Sequence, residues 1–185
     1  MFAYIGSMDY SEDIRTVLQQ HGLILFEQVG QFTSTEFIMH CQAASQVSLQ
    51  TLIVDLSCAS DGALMEGIRK FRFLRNCRII LFAPGRQAGD PLVSQLVGLG
   101  IWDIVSPTAS ETDDEEDEED EEEEAQARLL LEAQLAKPAT YADAARWHGY
   151  VEAKPGTDEP AEKVKGPRRR LRSPFAGWFE MEGFK

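Results

Sequence analysis

Cysteine and histidine are scarce in this 185-residue chain, with three of each. Cys41, Cys58 and Cys77 form no CxxC pair and have no histidine at ligand spacing. That leaves neither a disulfide frame nor a zinc site, and the three read as small apolar side chains in a reducing compartment. His21, His40 and His148 adjoin no nucleophile in the sequence, and the first two fall on helical patterns where structural roles are the default. Neither GxxxxGK[ST] nor GxGxxG occurs, so the common phosphate-cradling loops are absent. No stretch reaches the roughly 18 apolar residues that span a bilayer. The N-terminus lacks the basic flank and long apolar stretch of a secretory signal, so the expected location is the cytoplasm.

What the chain has in excess is negative charge, and it is concentrated. Thirteen of the 31 acidic residues lie between Glu111 and Glu124, interrupted only by Thr112. The remaining 18 acids balance 18 Lys and Arg, so the formal charge of −13 belongs to this one segment. A block this dense repels itself and stays solvated, as a linker or an exposed helix extension. The functional alternative is a docking site for a basic partner.

The first hundred residues alternate short apolar runs with helical patterns five times. Phe2 to Ile5 is a strand closed by Gly6, and Ser11 caps a helix whose apolar face is Ile14, Val17 and Leu18, stopped by Gly22. Leu23 to Phe26 is a second strand, and Ser34 or Thr35 opens a helix carrying Phe37, Ile38, Cys41 and Ala44. Leu49 to Leu56 is a third strand whose uninterrupted apolar centre, Leu52-Ile53-Val54, suits a parallel strand covered on both faces. Asp61 caps a helix with Leu64, Ile68 and Phe71 inward and its lysine and arginines outward. Arg78 to Phe82 is a fourth strand, Asp90-Pro91 starts a fourth helix, and Ile101 to Val105 is a fifth strand. Such alternation predicts a parallel α/β sheet of the flavodoxin-like type, strand order 2-1-3-4-5, with helices on both faces. A fifth helix is needed to cover one face, and Ala125 to Ala136, with Leu129, Leu130, Leu131 and Leu135, is the candidate. The acidic run then separates strand five from helix five or lengthens that helix, and the domain is expected to span residues 1–137.

In open parallel sheets, sites form at the carboxyl ends of the strands. Here those ends offer Gly6-Ser7-Met8-Asp9, Asp55, Phe82-Ala83-Pro84 and Ser106-Pro107. The stretch Leu52-Ile53-Val54-Asp55-Leu56, followed by Asp61-Gly62, resembles the phosphoacceptor region of a response-regulator receiver (CheY-like) domain. It is one residue shorter than the usual receiver stretch and lacks its proline. The resemblance covers roughly residues 1–137 and includes Ser11 to Arg15, Leu81-Phe82-Ala83 and Trp102 to Pro107. It implies Asp55 as phosphoacceptor, with Asp9 and Asp55 as the acids available to Mg²⁺. The departures weigh against that chemistry. Gly6 and Ser7 stand where receivers carry two acids for Mg²⁺, Phe82 replaces the switch Ser/Thr and Ser106 replaces the lysine. An Asp55 that merely hydrogen-bonds the loop after its strand is the simpler expectation, with no cofactor and no enzymatic activity.

Degenerate receivers of this kind resemble the N-terminal pseudo-receiver domain of the TadZ/CpaE-type pilus-localisation ATPases and related ATPases of bacterial mobile elements. That resemblance implies a localisation or dimerisation module, with no room for an ATPase after residue 137. The expected contact face is helix four, strand five and helix five, where Val93, Val97, Trp102 and Ile104 are of interest; helical spacing also places the first two in the core. A homodimer or another protein is the expected partner.

Residues 138–185 hold five of the eight prolines and seven of the 17 aromatics. A short helix is expected over 140–150, with Ala142, Ala145 and Trp147 available for packing, and the rest is expected to lack a core. Lys163 to Arg172 carries six basic residues, among them Arg168, Arg169, Arg170 and Arg172, followed by Phe175, Trp178 and Phe179. Such a tail suits a docking peptide for a protein, an anionic membrane surface or single-stranded nucleic acid, or it folds back on the acidic run. Three functions therefore compete: a non-catalytic interaction module, a phosphoryl-accepting regulator using Asp55, and a nucleic-acid- or membrane-associated protein acting through its tail.

Overall fold

The computed structural model describes residues 1–107 and 116–148, the backbone alone for residues 116–124. Five strands, β1 (Phe2–Gly6), β2 (Ile24–Val29), β3 (Thr51–Asp55), β4 (Arg78–Phe82) and β5 (Asp103–Val105), form one parallel sheet in the order β2-β1-β3-β4-β5. The helices are α1 (Ser11–His21), α2 (Ser34–Ser45), α3 (Asp61–Leu74), α4 (Pro91–Gly98), α5 (Glu116–Ala136) and the single turn α6 (Tyr141–Ala144), which runs into a 3₁₀ turn over Ala145–Trp147. This is the flavodoxin-like arrangement expected from the strand-helix alternation.

Each face of the sheet has its own core because successive strand residues point to opposite sides. Ala3 and Ile5 of β1 and Leu52 and Val54 of β3 pack under α2, α3 and α4, against Phe37, Leu64, Ile68, Phe71 and Leu96. Phe2, Tyr4, Ile53 and Ile80 face the other way, onto Ile14, Val17 and Leu18 of α1 and Ala127 and Leu131 of α5. β1 and β3 are buried along their whole length, whereas β2, at the sheet edge, is only half-buried.

Local signals set several boundaries. Thr33, not Ser34 or Thr35, caps α2: its hydroxyl accepts from Glu36 N–H while the Glu36 carboxylate accepts from Thr33 N–H. Asp90 caps α4 through Val93 N–H, with Pro91 at the first position. Gly67 lets α3 lie close on α2, since a Cβ there would stand 2.6 Å from the Phe37 ring.

Residues 116–124 of the acidic run lengthen α5, and all nine are acidic. The leucine cluster divides differently from the sequence expectation. Ala127 and Leu131 are buried, Leu135 is half-buried, and Leu129 and Leu130 face solvent. Three consecutive residues fan out over about 200° of a helix, so they cannot share one face, whereas positions 127, 131 and 135 can.

Packing continues beyond Lys137, where the sequence reading ended the domain. Ala144 and Trp147 are buried in the core beside α4. A second capping box, Thr140 with Asp143, starts the turn that carries them. Ala142 and Ala145, expected to pack, are exposed. The expectations for residues 149–185, including Arg168, Arg169, Arg170, Arg172, Phe175, Trp178 and Phe179, fall outside the described residues. Among the described residues no helix is long and apolar enough to cross a membrane.

Candidate functional site

β3 delivers Asp55 to the carboxyl edge of the sheet, and the loops on either side close over it. The side chain is fully buried. Its Oδ2 accepts from the backbone N–H and the hydroxyl of Ser7, at 2.9 and 2.5 Å. Its Oδ1 accepts from the N–H and hydroxyl of Ser57, at 2.8 and 2.7 Å. A carboxylate offers about four lone-pair positions, and all four are taken. The Ser57 half is a local Asp turn over two residues. The Ser7 half joins residues 48 apart. The Ser7 N–H is thus spent on Asp55 itself.

The neighbouring groups feel this charge. Tyr4 is buried beneath the site, and desolvation followed by the charge of Asp55 holds its phenol protonated well above the usual range. The Cys58 thiol is pushed up by burial and then by Asp55. Burial raises Cys41 to about 12. Neither buried cysteine has the thiolate character of a nucleophile.

The other expected site residues lie apart from this seat. Asp9 is exposed in the turn after β1 and shares no donor with Asp55 among the described residues. No group of three His, Cys, Asp or Glu is placed to hold a metal ion among the described residues. Phe82 is buried, with its ring edge-on to Tyr10 at 5.0 Å. The Ser106 hydroxyl donates to the carbonyl of Arg86 at 2.8 Å. Arg86 in turn is bracketed by Asp61 and Asp90, at 2.6 and 2.9 Å.

Of the residues expected to form a contact face, Val93, Val97 and Ile104 are buried in the core. Only Trp102 reaches solvent, at 39% exposure, with its ring edge-on to the exposed Tyr141 at 6.1 Å. Tyr141 also meets His148 at 5.5 Å. Behind Trp102, Asp103 ties the end of α5 to the sheet. Its Oδ1 accepts from Arg78, Gln134 and Ala139 N–H at 2.7, 2.6 and 2.8 Å, and Arg78 reaches on to the carbonyls of Gln134 and Leu135.

One surface went unread in the sequence. Phe73, near the end of α3, is 93% exposed, and Leu74 beside it is 55% exposed. With Gln42, Arg69 and Lys70 they line an open cleft of about 430 Å³. Large apolar side chains left this bare on a surface mark contact sites when they cluster. Helical spacing assigns Phe71 to the core and is silent about Phe73, whose exposure is the signal.

Set against known proteins, the chain matches no family model, no curated protein and no solved structure.

Proposed function

We propose that this chain is a non-catalytic, receiver-like module that works by contact with protein partners, in the manner of the pseudo-receiver domains it resembles. The seat of Asp55 carries the reading. Attack on a phosphoryl donor needs an accessible carboxylate oxygen with a free lone pair, and transfer needs charge neutralised around the transferred group. Asp55 is buried, with two donors on each oxygen. Ser7 stands at a position where a receiver carries an acid, and Ser106 where it carries lysine. Serine at both places supports a structural role for the acid, that of pinning the loops after β1 and β3.

Intact mass after incubation with acetyl phosphate and Mg²⁺, wild type against Asp55→Asn, tests the reading. No adduct is expected, under conditions that label a standard receiver. An adduct in wild type alone overturns it and makes the chain a phosphoryl-accepting regulator, with Asp9 the next residue to change.

A further inference from the structure

We propose that the free edge of β2 is a self-association surface, where β2 of a second copy pairs antiparallel about a two-fold axis and the two sheets join into one. The inference rests on the reading of the chain as a contact-making module and specifies surface and partner.

The two edges of the sheet are treated differently. At the β5 edge, Leu131 of α5 packs on one face of the sheet and Ala144 and Trp147 pack on the other. The chain between them rounds β5, where Ala139 N–H donates to Asp103 at 2.8 Å and Arg78 holds the carbonyls of Gln134 and Leu135. That edge is sealed, and β5 is only three residues long. β2 has six residues and no such cover. Among the described residues its one sheet neighbour is β1, and no loop backbone bonds to its outer side.

An open row of N–H and C=O groups is a template for another strand, and edge strands are ordinarily guarded by lysine, proline or a bulge. Residues 22–30, Gly-Leu-Ile-Leu-Phe-Glu-Gln-Val-Gly, hold no lysine, arginine or proline. Their one charge, Glu27, is taken up by Arg15 at 3.0 Å. One guard is present: the pairing with β1 shifts between Phe2 and Ala3, so that Leu25 has no partner there. The residue set aside is apolar and 42% exposed, and Leu23 beside it is 68% exposed. Past the shift, Phe26 to Val29 pair residue for residue with β1.

The edge is its own complement. A two-fold axis through the seam sets the outer N–H groups of one β2 against the outer C=O groups of the other, and covers Leu23 and Leu25 of both copies. Each copy spends its one open edge, so the contact closes and assembly stops at two. The charge beside the seam sets a direction for salt. Glu12 and Glu27 share the single cation Arg15 in each copy, so the pair brings like charge together and added salt should strengthen it.

Light scattering on the full chain, from micromolar to millimolar concentration, tests this. The mass should rise from monomer to dimer and no further, at lower concentration when salt is added. Leu25→Lys should weaken the dimer about tenfold or more. Its far-ultraviolet spectrum should match wild type, because Leu25 has no partner in β1 and reaches solvent. Leu23→Lys, at the more exposed position, should act in the same direction. Amide hydrogen exchange at residues 26–29 should slow in the dimer relative to a dilute sample, as the outer N–H groups leave water. A chain that stays monomeric at millimolar concentration overturns the proposal and leaves the edge to a strand of another protein. Species larger than a dimer, a dimer that salt weakens, a dimer indifferent to both lysine variants, or unchanged exchange at 26–29 overturns it as well. None of these outcomes labels Asp55, so the adaptor reading stands or falls separately in the acetyl phosphate experiment.

Discussion

Ser7 gives both its backbone N–H and its hydroxyl to a single oxygen of Asp55. The residue that follows the first strand is thereby locked to the last residue of the third, and the carboxyl edge of the sheet is organised around a buried anion. A receiver site arranges charge around an open carboxylate; here the carboxylate is the guest and the loops are the host.

Ser7→Ala removes one charge-assisted hydrogen bond without altering the chain's path. A loss of about 1.5–3 kcal/mol is expected in urea unfolding. Asp55→Asn should cost at least as much, because its amide presents donors to donors. A change below about 0.5 kcal/mol in both would show that the network is not stabilising.

The salt bridges at α4 set a direction for acid sensitivity. Partial burial disfavours the charged form of Asp90, but Val93 N–H and the Arg86 guanidinium outweigh it and hold the carboxyl below its usual value of 3.8. A depressed folded value contributes stability that is present above the unfolded value and lost as pH falls through the folded one. The difference in melting temperature between wild type and Asp90→Asn should be constant from neutral pH down to about pH 5 and shrink below about pH 4. A difference that grows on acidification would contradict the assignment.

Gly67 sits mid-helix, where alanine ordinarily gains about 1 kcal/mol of helix propensity. The Phe37 ring, 2.6 Å from the added Cβ, and Cys41 Sγ at 3.1 Å offset that gain. Overpacking costs about 1–3 kcal/mol, so Gly67→Ala should be neutral to destabilising by about 2 kcal/mol. Phe37→Leu should relieve part of that cost in the double variant, which a double-mutant cycle by chemical denaturation would read as favourable coupling.

The two tryptophans among the described residues should behave oppositely. Trp147 is buried in the core and Trp102 is partly exposed. Trp147→Ala should cost about 3–5 kcal/mol, whereas Trp102→Ala should stay within about 1 kcal/mol. Thermal unfolding of both variants checks this. Trp102→Ala also reports on the α4–β5–α5 face expected from the receiver resemblance: a change in self-association on that substitution would place a contact there.

Much of the architecture could be read from local pattern. The apolar triplet Leu52-Ile53-Val54 announces a strand covered on both faces, Asp90-Pro91 a helix start, and the strand-helix alternation a parallel sheet. These signals are local because backbone hydrogen bonding and side-chain periodicity repeat within a few residues. Even the two capping boxes, Thr33 with Glu36 and Thr140 with Asp143, were there to be read.

The chemistry of the site was of another kind. Asp55 looks like a phosphoacceptor or a turn residue until Ser7, 48 positions away, is placed against it by the pairing of β1 with β3. Leu129, Leu130 and Leu131 are equivalent as letters; the rotation of α5 against α1 buries one and exposes two. Phe73 and Phe71 are two residues apart on one amphipathic helix, and the sheet beneath chooses between them. Composition and spacing determine which segments become strands and helices, because those forces act between near neighbours. Which oxygen meets which donor, and which apolar side chain is left in water, follows from contacts between residues far apart in the chain, which exist only once the sheet has assembled.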